Sequence, residues 1–347
     1  MLKIKLSIPG ALEHINISQF TGNLLNEHMN CRFYINNNVE DPDFWFIIEE
    51  PHENDKFCNI DKTRVVLLTA EVAHQPGYYN SQKAKLFLNQ FAEIYTCYEI
   101  YRDNVTSDLP FLPWMINANH GNSIYADNQK NKIYFENLLS LDKPKTLSVI
   151  CSNVTWTEFH LKRILFVKEL KRHFKDKLDW YGNGVNPIKT KWEGIAPYKY
   201  HIVLENQEKY NVITEKLYDS FLGLSYPIYS GACNVFEHFP KNSLINIHLN
   251  DLKSSIYSIE EIIEENFYKR NYQSIINAKN IVINEKNLFT RIASIALKKN
   301  EKLPNNREFT TIFPLKKNTN NNILGFYNIV GKAFRKIGTQ LISYSNQ

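Results

Sequence analysis

The sequence of 347 residues contains no run of about 18 apolar residues, the length a helix needs to cross a bilayer, so no spanning helix is expected. Its five cysteines (Cys31, Cys58, Cys97, Cys151, Cys233) stand singly, without a Cys-x-x-Cys pair, and the histidines form no cluster at ligand spacing. That pattern argues against a zinc site and a disulfide framework, and it suits a reducing compartment. Neither charge sign dominates. The 41 basic and 36 acidic residues leave a formal charge of +5 spread along the chain, which favours anionic ligands such as nucleotides, or a membrane surface, and gives no sign of a nucleic-acid partner. The first ten residues alternate apolar and charged positions like a β-strand and lack the ~7–15-residue apolar core of a signal peptide, so a cytoplasmic location is expected. Asn-x-Ser/Thr triplets at Asn16, Asn104 and Asn153 read as chance in so Asn-rich a chain.

What is present is a globular composition, with 43% hydrophobic and 22% charged residues, which excludes a disordered or fibrous chain. The 20 Tyr and 21 Phe suit either an ordinary core or a carbohydrate partner, whose C–H faces stack on rings. Single cores stop growing near about 250 residues, so two domains are expected. Short apolar runs at 43–49, 64–70, 146–152, 200–206, 225–230 and 244–248 read as buried strands. A helix over 158–174 places Leu161, Ile164, Leu165 and Leu170 at helical spacing. Alternating strand and helix imply an α/β fold of doubly wound, Rossmann-like parallel sheets. The polar stretch 126–145 is expected to join the two sheets, with domains at 1–143 and 144–300. A helix beginning near Ser258, with Glu261 as its capping-box partner, is predicted next, followed by a loop over 302–322. In the region 301–347, Phe326, Val330, Phe334, Ile337 and Leu341 then form one apolar face opposite Lys332, Arg335 and Lys336. Such a face suits packing back on the first lobe or lying on an anionic membrane.

Residues 200–231 are the most informative segment. A buried strand ends in Glu205-Asn206, and a short loop leads to Thr214-Glu215-Lys216 opening a new helix. In a parallel sheet that corner lies at the carboxyl edge, where helix N–H groups meet phosphate. Thr214 can cap the helix, Lys216 can add charge to a diphosphate, and Glu215 suits ribose or sugar hydroxyls. Spacing alone equally allows ordinary first-turn polarity. Arg163 follows the strand 146–152 and could fork two phosphate oxygens, or be a solvated charge beside Lys162 and Arg172. In the first lobe the strand 64–70 ends in Glu71. There a carboxylate could act as a general base, or be a cap or surface charge. Asp41-Pro-Asp43 reads as a turn, because its Pro restricts a metal-binding geometry.

Asn211-Val-Ile-Thr-Glu-Lys-Leu-Tyr-Asp-Ser-Phe221, Pro227-Ile-Tyr-Ser-Gly231 and Phe239-Pro-Lys-Asn-Ser-Leu-Ile-Asn246 together resemble the donor-binding signature of the α1,3/1,4-fucosyltransferases, glycosyltransferase family 10, of bacterial type. The resemblance covers 146–250 well and the first lobe thinly, at 67–71 and 113–115. It implies a GT-B architecture of two Rossmann-like domains facing a cleft, and an inverting, metal-independent transfer of L-fucose from GDP-fucose to a glycan hydroxyl of lipopolysaccharide type. No cofactor is implied beyond that donor substrate. Glu71 is similar in position to the family's catalytic base, and Arg163 and Lys216 to its diphosphate ligands. Asn206, Thr214, Glu215 and Gly231 match further donor positions. The family commonly has Tyr where this chain has Val212, so neighbouring Tyr210 is the candidate substitute and another nucleotide-sugar is the alternative donor. The family also often has Gly at the position of Ala70. His74, Tyr78 and Trp114, with Tyr79 and His120, are the candidate acceptor contacts. A non-catalytic glycan- or nucleotide-binding relative is the remaining alternative, and an intact base argues against it.

Overall fold

The computed structural model describes residues 1–8, 10–52, 57–70, 79, 81–119, 129–155, 157–300 and 308–315. Glu71, His74, Tyr78, His120 and the apolar tail from Ile323 lie outside the described residues. The described chain forms two compact units, residues 1–113, 129–137 and 282–315 in one, and 114–119 and 138–281 in the other.

The first unit contains strands β1 (Leu2–Ser7), β2 (Glu27–His28), β3 (Cys31–Ile35), β4 (Phe44–Ile48), β5 (Phe57–Asn59), β6 (Val65–Leu68), β7 (Glu93–Thr96) and β8 (Val105–Ser107). All but β5 share a sheet of order β2-β3-β1-β4-β6-β7-β8. Every pairing in that sheet is parallel except β2 with β3. Every residue of β4 and β6 is buried, as continuous apolar runs require when helices or loops cover both faces. Helix α1 (Gln82–Leu88) starts where the Ser81 hydroxyl accepts the Ala84 N–H, and its Phe87 and Leu88 pack with Trp45, Ile47, Val65 and Leu67.

Two expectations are corrected in this unit. A helix over Leu288–Asn300, expected in the second domain, belongs here, because its face of Leu288, Phe289, Ile292, Ala293 and Ala296 is buried in the first unit. Phe289 meets the rings of Phe20 and Phe33 at centroid distances of 5.5 and 5.1 Å. Arg291 of the same helix donates to the carbonyls of Leu109 and Pro110 at 2.7 and 2.8 Å and lies over the Phe111 ring. Within the expected loop 302–322, Phe309–Thr311 is instead a strand paired antiparallel with β5, with Thr310 opposite Cys58.

In the second unit β9 (Lys145–Ile150) leads through α2 (Glu158–Phe174) to β10 (Leu178–Tyr181). Next come α3 (Lys191–Ile195), β11 (Tyr198–Leu204), α4 (Glu215–Leu222), β12 (Tyr226–Ser230), β13 (Ile245–Asn246) and α5 (Leu252–Glu264). The sheet order is β10-β9-β11-β12-β13 and every pairing is parallel. The chain moves from β9 to β10 on one side, then returns to lay β11 on the other, so strand order reverses between β9 and β11. Right-handed crossovers in opposite directions place their helices on opposite faces, which is the doubly wound arrangement expected.

The helix predicted over 158–174 has those bounds, with Thr157 capping the His160 N–H. Ser258 is not a cap. Its helix begins a turn and a half earlier, where Asp251 accepts the Ser254 N–H, because buried Ser255, Ile259 and Ile262 extend the inward face upstream. The expected join near Lys143 also moves. The chain re-enters the second unit at Leu138, and the Lys143 ammonium is buried within that unit, donating to the Gly223 carbonyl at the end of α4 and to Ser225 Oγ. Burial holds the Lys143 pKa well below the usual lysine value.

His201, buried on β11, shares a hydrogen bond of 2.8 Å between Nδ1 and Ser148 Oγ. Burial, then Lys191 and Lys143, lower its pKa to about 3. The folded protein therefore refuses a proton that the unfolded chain binds below about pH 6.5, so His201 makes stability fall with acidification by up to ~1.4 kcal/mol per pH unit. Asp219, with its pKa raised to about 6, acts in the opposite sense over part of that range. Urea unfolding of the protein and of His201→Gln at about pH 7 and about pH 5 isolates the histidine, and the variant is expected to lose distinctly less stability between the two. Equal losses would contradict a neutral buried His201.

Candidate functional site

Open parallel sheets present a ligand crevice at the carboxyl ends of the two strands where their order reverses. In the second unit these ends are Ile150-Cys151 on β9 and Leu204-Glu205 on β11. Glu205 is fully buried, its N–H donating to the Ser230 carbonyl. A carboxylate without water needs donors, and here it accepts the Thr214 N–H at 2.8 Å and the Thr214 hydroxyl at 2.7 Å, with Lys216 Nζ 3.5 Å away. Burial raises the Glu205 pKa, with Lys216 and the Thr214 hydrogen bonds working against that rise.

Thr214 is thereby fixed as the N-cap of α4, its hydroxyl accepting the Lys216 N–H at 3.4 Å and the Lys216 ammonium at 3.0 Å. Glu215, the first helical residue, receives Lys191 Nζ at 3.3 Å and Lys216 Nζ at 3.5 Å, both on Oε1. Burial disfavours its charge, but Lys216 and Lys191 outweigh that and hold its pKa down to about 2. Lys191, from α3, also pairs with Asp219 at 2.8 Å. Asp219 is entirely buried, and its second oxygen accepts the Met115 N–H. Charges therefore alternate along one line, Glu205, Lys216, Glu215, Lys191, Asp219.

Arg163 comes from α2. Its side chain is buried, and Nη1 donates to the Leu204 carbonyl at 3.2 Å, at the carboxyl end of β11. Among the described residues its buried Nε has no partner, and a buried guanidinium N–H left open at a crevice is a donor that an anion can fill. Arg163 and Lys216 act on one neighbour. Burial raises the pKa of the Cys151 thiol and both cations oppose that rise. None of the five cysteines forms a disulfide.

The loop leading into α4 is sewn to the loop after β12. Asn211 N–H donates to Asn234 Oδ1 at 2.9 Å, and Asn234 Nδ2 returns a bond to Asn211 Oδ1 at 2.8 Å. The Tyr229 hydroxyl donates to the Val212 carbonyl and accepts the Ala232 N–H. Gly231 is required by this closeness, since a Cβ there would stand 2.3 Å from Tyr229 Oη and 2.6 Å from Glu205 Cγ.

The fold thus gathers Arg163, Thr214, Glu215 and Lys216 at the carboxyl edge of β9 and β11, with Gly231 beside Glu205. Asn206 follows Glu205 half-buried, with no hydrogen bond to its side chain among the described residues. Tyr210 is exposed and its hydroxyl donates to Glu237. Trp114 is corrected. It is 2% exposed and belongs to the second unit, not to the first lobe in which it was expected. Among the described residues no three His, Cys, Asp or Glu side chains converge as metal ligands would.

Sequence reasoning missed Lys191, Asp219 and Tyr229, and it also missed Glu49 in the first unit. That sheet reverses between β1 and β4, and Glu49 follows β4 there with φ of 61°. Its carboxylate accepts the Ala70 N–H at 2.7 Å and the Tyr79 hydroxyl at 3.0 Å. Ala70 immediately precedes Glu71. The available signal was the pattern itself, an acidic residue ending a continuous apolar strand, which occurs at Glu49 as at Glu205.

Residues 141–274 match the model of the glycosyltransferase family 10 (fucosyltransferase) C-terminal region. A segment of 89 residues is 30% identical to the alpha-(1,3)-fucosyltransferase FucT of Helicobacter pylori, covering 26% of this chain and 18% of that protein. The chain therefore matches less than a fifth of that relative's length. Among solved structures, an alpha1,3-fucosyltransferase with GDP aligns with a TM-score of 0.48 at 17% identity, over 91% of this chain and 93% of that one. The trehalose-6-phosphate synthase OtsA aligns at a TM-score of 0.47 and 7% identity, over 77% and 74%. The match to the family 10 model lies within the second unit.

Gly231→Ala should be destabilising by about 1–3 kcal/mol, because the new methyl must push apart Tyr229 and the buried Glu205. Urea unfolding checks it, and an unchanged transition would contradict the close packing described.

Proposed function

We propose that this chain is an inverting, metal-independent fucosyltransferase that moves L-fucose from GDP-fucose to a glycan hydroxyl, in α1,3 linkage, on an acceptor of lipopolysaccharide type. The observation that carries the proposal is the pair Arg163 and Lys216 at the reversal point of a family 10 domain, where cations and a helix N-terminus suit a diphosphate. In this reaction the acceptor hydroxyl gives its proton to Glu71 and attacks the anomeric carbon as the bond to GDP breaks. Arg163 and Lys216 hold the charge growing on the leaving diphosphate. Glu215, kept ionised by Lys216 and Lys191, accepts from donor hydroxyls. A cytoplasmic site of action at the inner face of a membrane, with the tail from Ile323 as a peripheral contact, completes the proposal.

One observation favours a second donor. Val212, where the family commonly has Tyr, is buried, and its carbonyl is occupied by Tyr229, while Tyr210 is held by Glu237. A different nucleotide-sugar on the same fold is the alternative that this supports. A thermal-shift screen across GDP- and UDP-sugars separates the two, with GDP-fucose expected to give the largest rise.

The protein is expected to release GDP from GDP-fucose in the presence of a galactose or N-acetylglucosamine acceptor. Glu71→Gln should lower kcat by about 10²–10⁴ without weakening donor binding. Lys216→Ala should lower kcat/KM by about 10²-fold or more. Absence of GDP release above the Glu71→Gln background on every acceptor would sink the proposal.

A further inference from the structure

Glu215 and Asp219 stand four residues apart on α4, so their carboxylates face the same side of the helix and repel one another. Lys191 relieves that repulsion from outside the helix, its ammonium lying 3.3 Å from Glu215 Oε1 and 2.8 Å from Asp219 Oδ2. The Asp219 end of the bridge is immobile. It is fully buried, and its other oxygen is fixed by the Met115 N–H. The Lys191 end is also anchored, since it opens α3, where the Thr190 N–H donates to Glu193 and the Trp192 N–H to the Ile116 carbonyl. Glu215 has a second cation, Lys216, but Lys216 also serves Glu205 and Thr214, and a bound diphosphate would draw on it as well. Among the described residues Lys191 donates only to Glu215 and Asp219, and neither is a diphosphate oxygen. Both cations lie on Glu215 Oε1.

We propose that Lys191, anchored on Asp219, is a positioning residue of the donor site: it holds the Glu215 carboxylate charged and oriented toward donor hydroxyls while Lys216 is engaged by the diphosphate. The inference rests on the donor-site reading above. A lysine serving only as a structural strut would act independently of Glu215, whereas a positioning lysine acts through it, and a double-mutant cycle distinguishes the two.

The cycle uses Lys191→Met and Glu215→Gln, singly and combined, with calorimetric titration of GDP-fucose and of GDP into the full chain. Each single change is expected to weaken GDP-fucose binding about tenfold, and the combination to be no weaker than Glu215→Gln alone. Lys191→Arg should restore most of the affinity, because a guanidinium can still bridge two carboxylates. Since Lys191→Met leaves buried Asp219 without its counter-charge, Lys191→Met combined with Asp219→Asn provides a variant with no unpaired buried charge, and it should show the same loss. Strictly additive losses, or wild-type affinity in that folded double variant, would overturn the inference while leaving the donor site standing. A wild-type protein that binds neither GDP nor GDP-fucose would overturn the donor-site reading, and this inference with it.

Discussion

A fully buried carboxylate, Glu205, sets the position of everything at the carboxyl edge of the second sheet. Removing a charge from water costs several kcal/mol, and the structure offsets this with two hydrogen bonds from Thr214 and the approach of Lys216. Those contacts do more than neutralise it. They fix the residue at which α4 begins, and therefore where its first N–H groups and the Lys216 side chain stand relative to β11. Glu205 also accounts for Gly231, because no side chain fits between its Cγ and Tyr229. Substituting any one of the three residues disturbs the other two.

From this anchor a line of alternating charge runs outward through Lys216, Glu215 and Lys191 to Asp219. Such an arrangement keeps acidic groups in a place where a helix N-terminus and two cations would otherwise attract any anion. Glu215 is held ionised at a partly buried position, and Lys216 is poised between two carboxylates, each 3.5 Å from its ammonium. An incoming diphosphate can take up Lys216 without breaking a tight ion pair. Arg163 adds a guanidinium whose Nε is not committed within the described residues. The described side chains of this corner stand on strand ends, helices and helix starts.

Much of the fold was legible because parallel strands buried on both faces read as unbroken apolar runs. Those at β4, β6, β11 and β12 lie within two or three residues of their predicted bounds. The strand-loop-helix junction at Thr214-Glu215-Lys216 was legible too, since a strand end followed by a cap residue has one natural place in such a sheet. What escaped was information that depends on distance in space. Lys191 sits 24 residues before Glu215, and only the packing of α3 beside α4 makes them neighbours. The helix Leu288–Asn300 looked continuous with the second domain because helical periodicity does not say which core an apolar face will join. The burial of Trp114 in the second unit was equally illegible, because an aromatic ring has the same sequence signature in a core as in a binding site. Ser258 and Asp251 are both acceptable caps, and burial of Ser255 decided between them.

The central claim is that the carboxyl edge of β9 and β11 holds a nucleotide diphosphate between Arg163 and Lys216. A crystal structure of the protein with GDP tests it most directly. The account predicts phosphate oxygens within hydrogen-bond reach of both Lys216 Nζ and the Arg163 guanidinium. GDP bound with its phosphates away from both side chains would contradict it.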